Sequence, residues 1–447
     1  MAGQFRHGFR IGLMFAGVIA LSGCGESGPS LSSIPGVSSL FGASDKPPLP
    51  GERVSVLSSD TTAATGAVES KDPVLLPAAQ ENASWSQPGG VASNAPGHLA
   101  YSGGAKTVWS EDAGAGSNSK GRITALPIVH GGKVFTLDRE GRVTAFSMNG
   151  GTVWKADLAP ETEKANGGFG GGLAAEGEKI YVATGFGTVV ALNTGNGKPI
   201  WTKSLNVPIR TSPTVTNGKV FVVNSESELF ALSADNGAQL WTSRGLPEGA
   251  GVLSNVSPAV SGNMLVVSYA SGEVVALDVN SGEQRWTDSV TGGVVGSSLT
   301  TIGDAARPVI VDGVVYAASR GGRIIATNLK SGERVWSRDI RAVQTPWVAG
   351  SSVFVVDMNS RIYALDRKSG KVKWSSALPK ASGWSGPMLA GGKLWVASNK
   401  GLLVGVDAAN GQVAVQRDLE NAVYISPIVA GGRMFVLTDK ARLIAMN

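Results

Sequence analysis

One pattern recurs along this chain and narrows the choice of fold more than any other feature. The segments ALNTGNGKPIW (191–201), ALSADNGAQLW (231–241), ALDVNSGEQRW (276–286), ATNLKSGERVW (326–336) and ALDRKSGKVKW (364–374) share one order: Ala, one residue, a small polar residue, three residues, Gly, three residues, Trp. AFSMNGGTVW (145–154) is one residue shorter, GVDAANGQVAV (405–415) carries Val415 in place of Trp, and Trp109 in GGAKTVW precedes them all. From Trp109 through Val415 the intervals are 45, 47, 40, 45, 50, 38 and 41 residues. A period of about 44 residues marks a supersecondary unit that buries its apolar face only by stacking on copies of itself.

The content of the unit is β. A Pro-x-apolar run opens each copy, at Pro127, Pro213, Pro258, Pro308, Pro346, Pro387 and Pro427, with Leu173 standing in for proline in the second. A glycine turn leads to a β-branched run such as KVFVV (219–223) or KLWVA (393–397), then to a third run such as RIYAL (361–365), then to the Gly-x-x-x-Trp run. Four short strands joined by tight turns describe an antiparallel meander. Gly at 61 of 447 residues suits so many turns.

Meanders repeated around an axis make a β-propeller. The first three strands occur eight times, but the eighth copy, ending in RLIAMN, has no fourth strand, while KTVWS (106–110) is a fourth strand with no unit before it. We therefore expect an all-β, eight-bladed β-propeller of four-stranded antiparallel blades, the last closed by the N-terminal strand. Closure removes an edge open to aggregation. Each Trp is expected to pack on a neighbouring blade, the Gly four residues earlier offering bare backbone to the ring. Asp278, Asp366 and Asp407 read as turn residues that bond nearby amides. The glycines 167, 168 and 170–172 have no helix pattern after them, so they read as close backbone approach and not as a phosphate loop.

Composition removes several function classes. Cys24 is the sole cysteine and His7, His98 and His130 are the sole histidines, which excludes a disulfide framework, a Cys/His zinc site and c-type haem attachment. A Ser-His-Asp triad has little to draw on. The formal charge of +5 is spread without a basic run, so no nucleic acid is expected as a partner.

The first residues form a separate domain of the reading. Arg6 and Arg10 precede the 11 apolar residues Ile11 to Leu21, too few to span a bilayer as a helix. Residues 1–23 are expected to be a signal peptide. Leu21-Ser22-Gly23-Cys24 resembles the lipobox of bacterial lipoproteins, which implies acylation of Cys24 and anchoring in outer-membrane lipid at the periplasmic face. Gly25, where Asp would favour inner-membrane retention, fits that destination. Residues 24–80, rich in Ser, Pro, Gly and Ala, are expected to be a flexible tether with a reach on the order of 40 Å, and 81–447 the propeller.

The Ala-x-Asp-x-x-x-Gly-x-x-x-Trp pattern resembles that of pyrroloquinoline-quinone-type propellers, and a lipobox followed by a single propeller is similar to the BamB family of outer-membrane β-barrel assembly lipoproteins. The resemblance implies a non-enzymatic scaffold without cofactor or metal that binds the periplasmic domains of BamA, the barrel-inserting subunit, alongside the other subunits of the complex, and assists insertion of outer-membrane proteins. The alternatives are a pyrroloquinoline-quinone-dependent dehydrogenase, whose cofactor would take the axial channel, and a propeller lipoprotein with another envelope partner. The former commonly carries a vicinal cysteine pair, which a chain with one cysteine lacks.

A scaffold works through its loops. Connections between blades share a face with the hairpins between second and third strands, and include Asn206 to Ser212 and Ser243 to Ser257. The resemblance carries over Arg210, Ile209 and Val207 as partner-binding residues; of the acidic residues expected in the following loop there is only Glu248. No catalytic residue is assigned.

Overall fold

The computed structural model describes residues 67–161, 168, 170–246, 256–291, 305–342 and 344–447. They contain eight four-stranded sheets. Blade 1 consists of Ile128–His130, Lys133–Leu137, Arg142–Ser147 and Gly150–Asp157, each strand antiparallel to the next. The same meander recurs over 171–204, 214–244, 259–289, 309–338, 347–377 and 388–418. Blade 8 is assembled from both ends of the domain: Ile428–Ala430, Arg433–Leu437 and Arg442–Met446 are followed by Thr107–Asp112, with Trp109 opposite Ala445 and Asp112 opposite Arg442. The expected closure by the N-terminal strand is present.

Burial follows strand position. Second strands such as Lys219–Val223 and third strands such as Glu228–Ser233 are buried on both faces over four successive residues, because a blade is covered by a neighbour on each side. The outermost strand Gln239–Arg244 alternates, since one of its faces meets water. In blades 1 to 7 the pairing of third and fourth strands slips by one residue at the bond opposite Trp or Val415. This bulge leaves the residue before the Trp unpaired, and Val153, Ile200, Leu240 and Val335 stand exposed there. A bulge on an outermost strand disturbs the ladder that another sheet would extend.

The tryptophans do join the blades, but each ring lies on the glycine of the following blade, not on that of its own repeat. A Cβ built on Gly197 would sit 2.5 Å from Trp154, and the same pairing links Trp109 to Gly150, Trp201 to Gly237, Trp241 to Gly282, Trp286 to Gly332, Trp336 to Gly370 and Trp374 to Gly411. Each indole Nε1 also donates to a carbonyl of the following blade's turn, as Trp154 does to Thr194 at 3.0 Å and Trp374 to Ala408 at 3.1 Å. Val415 now has an explanation. The blade after it is closed by the N-terminal strand, so it has no third-to-fourth-strand turn and no glycine on which an indole could rest.

Those turns are held as expected. Asp278 accepts from the amides of Asn280 and Ser281, Asp366 from Lys368 and Ser369, and Asp407 from Ala409 and Asn410. Asn193 and Asn328 do the same in their blades, so the position requires a short side chain with an acceptor oxygen, charged or not.

Residues 82–99 form a plug on the axis. Each of the eight innermost strands, or the turn or residue adjoining it, meets this segment in order around the ring. Asn82 Nδ2 donates to Val429 O of blade 8, Trp85 exchanges two backbone bonds with Val129 of blade 1, and Ser86 O accepts from Ala175 of blade 2. The Gln87 amide both donates to and accepts from Val215 of blade 3, Ala92 O and Ser93 O accept from Val260 and Ile310 of blades 4 and 5, and Gly97 O accepts from Trp347 Nε1 of blade 6. Leu99 closes the circuit on Leu389 and Gly391 of blade 7. Trp85, 2% exposed, stacks on Trp347 with ring centroids 6.3 Å apart.

Upstream of the plug, residues expected to belong to the tether are strapped to blade 6. The amides of Glu69 and Ser70 donate to Val372 O, whose own amide donates to the Glu69 carboxylate. Leu75 and Ser351 exchange bonds, and Lys373 Nζ donates to Pro73 O at 3.2 Å and to Ser351 O at 3.1 Å. Contacts with the blades are thus made from residue 69 onward, within the stretch expected to be tether. The remainder of the expected tether, the signal peptide and Cys24 lie outside the described residues.

Candidate docking face

The two ends of the propeller differ. At one end lie the short turns between first and second strands, among them Gly391 and Gly431, and there the plug is bonded. The opposite end carries the longer connections between blades, including 205–213 between blades 2 and 3.

That connection is a rigid platform. Leu205 N donates to Gly187 O at 2.8 Å, Ile209 N to Thr184 O at 3.3 Å, and Ser225 N to Pro208 O at 2.9 Å. Asn206 takes a left-handed φ of 57°, which asparagine tolerates through local hydrogen bonding, here from Ser204 Oγ to its Oδ1 at 2.8 Å. The loop leans on the glycine cluster of the preceding connection: Gly170, at φ +106°, has Arg210 Cα 3.0 Å from the position of a Cβ, and Gly172 has Ser212 Oγ at 1.9 Å. Close backbone approach is thus the function of Gly170 and Gly172; Gly167 lies outside the described residues.

The three residues carried over from the resemblance fare differently. Arg210 is half-buried, its stem laid over Gly170 and its residue at the loop surface. Val207 is half-buried as well, with its backbone against Gly187. Ile209 is corrected: it is 0% exposed and packs with Tyr181, Val189, Val215 and Phe230 between blades 2 and 3. It anchors the loop from below and offers no surface to a partner. Glu248 lies outside the described residues.

Sequence reasoning did not find a second part of this face. A recess of about 290 Å³ opens near blades 6 to 8, lined by Arg122, Met358, Trp384 and Tyr424 among others. Arg122 stands 4.6 Å over the Tyr424 ring, a cation–π contact. Met358 and Tyr424 are 46% and 36% exposed, so an aromatic, a thioether and a cation face outward together. On the same side, Arg307 donates from Nε to Thr345 Oγ1 at 3.2 Å, and burial lowers its guanidinium to about 10. The available signal was the exposed pairing of Arg with Tyr in separate interblade loops, which have no common spacing in the sequence.

Neither described histidine is poised for chemistry. His98 donates from Nδ1 to Pro77 O and accepts the Gly392 amide at Nε2; His130 donates from Nε2 to Gly177 O and accepts Ser86 Oγ at Nδ1. Both rings have their two nitrogens engaged in holding the strap, the plug and blades together.

Against known proteins, residues 139–376 and 374–447 match the family model described as outer membrane protein assembly factor BamB. The BamB of Yersinia pestis is 28% identical over 328 residues, covering 71% of this chain and 82% of its own. That of Escherichia coli K12 is 26% identical over 365 residues, with the same two coverages. Among solved structures, BamB from Moraxella catarrhalis superposes with a TM-score of 0.66 at 18% identity, over 76% of this chain and 99% of its own. A quinohemoprotein alcohol dehydrogenase from Comamonas testosteroni shares the fold, with a TM-score of 0.62 at 16% identity over 80% and 77% of the two chains. With its repeats matched from residue 139 to residue 447, this chain belongs to the BamB family of outer membrane protein assembly factors.

Proposed function

We propose that this chain is a scaffold subunit of the outer-membrane β-barrel assembly machinery, that acyl chains on Cys24 hold it at the periplasmic face of the outer membrane, and that it docks the periplasmic domains of the barrel-inserting subunit, BamA, on the loop face around Arg210. The observation that carries the docking reading is the loop that presents Arg210: pinned from below by Ile209, bonded to both flanking hairpins and seated on Gly170, it has little conformational freedom left to lose on binding. A half-covered arginine on such a platform is a common anchor composition.

A scaffold without chemistry of its own is supported by what fills the axis. The fold is shared with a quinohemoprotein dehydrogenase, and a quinone in the axial channel needs that channel open. Here the turn end of the axis holds the chain's own residues 82–99. With a single cysteine there is no vicinal pair, and among the described residues no three His, Cys, Asp or Glu side chains converge as a metal site.

The test is recovery of the barrel-inserting subunit with tagged full-length protein from detergent-solubilised envelopes. Arg210→Glu is expected to reduce that recovery while the propeller remains folded. Wild-type recovery by the Arg210→Glu protein would remove Arg210 from the interface.

A further inference from the structure

At the loop end of the axis each connection enters an innermost strand through the residue before the proline that opens the blade. In blade 2, where Leu173 stands in for proline, that residue is Gly172. These eight positions form a ring. A Cβ on Gly172 would collide with Ser212 Oγ of the next blade, and one on Gly386 would lie 3.3 Å from both Thr345 O and Ser426 Oγ of the blades on either side. Six of the eight are Gly, Ser or Thr and a seventh is Leu126, so Arg307 is the only long polar side chain in the ring and its only charge.

The plug reaches this ring from the turn end. Asn94 Nδ2 lies 2.9 Å from Pro308 O, one residue beyond Arg307, and 3.5 Å from Ser257 O, itself a ring position. A group that meets Arg307 on the axis therefore comes from the loop side, and Arg307, only half-buried, keeps surface to offer it.

The chain provides poorly for this guanidinium. Nε donates to Thr345 Oγ1 at 3.2 Å, but Nη1 is buried without a hydrogen-bond partner, and among the described residues no carboxylate pairs with it. Burial alone acts on its proton affinity, and lowers it. Arg323 and Arg367 of blades 5 and 6, by contrast, each hold an aspartate, Asp339 at 3.3 Å and Asp312 at 2.7 Å. A charge withdrawn from water without a counter-charge is costly, and a delivered anion offsets that cost. Thr345 Oγ1, which accepts from Nε, also has its own proton to donate. A group seated there meets a charged donor and a neutral one side by side.

We propose that this ring binds an oxyanion, a carboxylate or phosphate group that enters from the loop face and lies on the Arg307 guanidinium and the Thr345 hydroxyl. Two sources carry such a group: a free small anion, and an acidic side chain of a partner docked on the loop face. The small residues elsewhere in the ring leave the approach clear for either.

The experiment is a thermal titration of full-length protein in detergent, in which potassium phosphate replaces potassium chloride at constant ionic strength, repeated with potassium acetate. Phosphate stabilises folded proteins in general by exclusion from their surface, so Arg307→Met, which keeps an unbranched stem and removes the charge, is the reference. Wild type is expected to gain about 2 °C or more over that reference in at least one of the two salts, because a ligand that binds only the native state raises the midpoint. Thr345→Val, of similar shape but without the hydroxyl, is expected to respond less than wild type, and it carries the test alone if Arg307→Met does not fold. Shifts in the variants equal to that of wild type overturn the proposal. Recovery of the barrel-inserting subunit then separates the sources. A free anion leaves recovery by Arg307→Met at the wild-type level. An acidic side chain of the partner predicts a loss of about tenfold or more, with phosphate reducing wild-type recovery more than chloride of equal ionic strength. The phosphate response needs no partner, so this site and docking at Arg210 fail separately.

Discussion

The side-chain amide of Asn94 donates to the carbonyl of Pro308 at 2.9 Å, joining residues 214 positions apart where the plug meets blade 5. Asn94 is only 4% exposed, and the same Nδ2 lies 3.5 Å from the carbonyls of Ser257 and Pro258 of blade 4. Pro258 O also accepts from Thr214 Oγ1, so Asn94→Ala deprives chiefly the Pro308 carbonyl of its side-chain donor, a cost of about 1–3 kcal/mol. A lowered thermal midpoint by calorimetry is the expected result, with an unchanged far-ultraviolet spectrum at room temperature.

Two glycines with nearly the same backbone offer an internal control. Gly218 and Gly237 have φ of +70° and +72°, but a Cβ on Gly218 meets nothing within 4 Å while one on Gly237 comes 2.7 Å from Trp201. Gly218→Ala is expected to cost about 1–2 kcal/mol, the price of a left-handed alanine. Gly237→Ala must in addition displace the indole that joins blades 2 and 3. Urea unfolding of the two variants side by side measures the difference, which is the contribution of the seat alone.

Lys373 secures the strap. Its buried ammonium donates to Pro73 O, Ser351 O and Ser351 Oγ. Lys373→Met preserves much of the stem and removes the donors, so the strap is expected to detach while the blades remain folded. Limited proteolysis with mass spectrometry should then show new cleavage between residues 67 and 80, at sites protected in the wild type.

Asp278 gives a dependence on pH with a definite sign. Arg285, then the amides of Asn280 and Ser281, hold its carboxyl well below the usual carboxylate range. A depressed folded value stabilises the native state above the unfolded value of about 3.9, and that contribution is lost as pH falls through the folded value. Asn at this position keeps the acceptor for the turn, as Asn193 and Asn328 do, but not the ion pair. Asp278→Asn should therefore be less stable than wild type at neutral pH, and the two denaturation midpoints should converge as the solution is acidified below about pH 4.

The architecture was legible because it is periodic. A pattern repeated from Trp109 to Val415 gave the blade, and the unmatched strands at 106–110 and 442–446 indicated the closure. The Asx turns at Asp278, Asp366 and Asp407 were legible from side-chain chemistry alone. Which glycine receives each indole was not, because the two candidate glycines differ only in a blade-to-blade offset that strand order does not specify. The plug escaped for the opposite reason to the repeat: Asn82, Trp85, Gln87, Asn94 and Leu99 each answer a different blade, so the segment has no period. Ile209 reads as a surface residue from its place between Pro208 and Arg210, and only the packing of blades 2 and 3 reveals that the loop turns it inward.

The closure of blade 8 also orders events in time. Thr107–Asp112 is made early, yet its partner Arg442–Met446 is made more than three hundred residues later. Until then the plug has an incomplete set of innermost strands to bind, and Trp109 has Gly150 to rest on but no third strand beside it. This strand therefore waits for its partner while the blades accumulate behind it, and contacts so distant in sequence make for slow folding. The segment synthesised first among the described strands is thus the last to be sheltered.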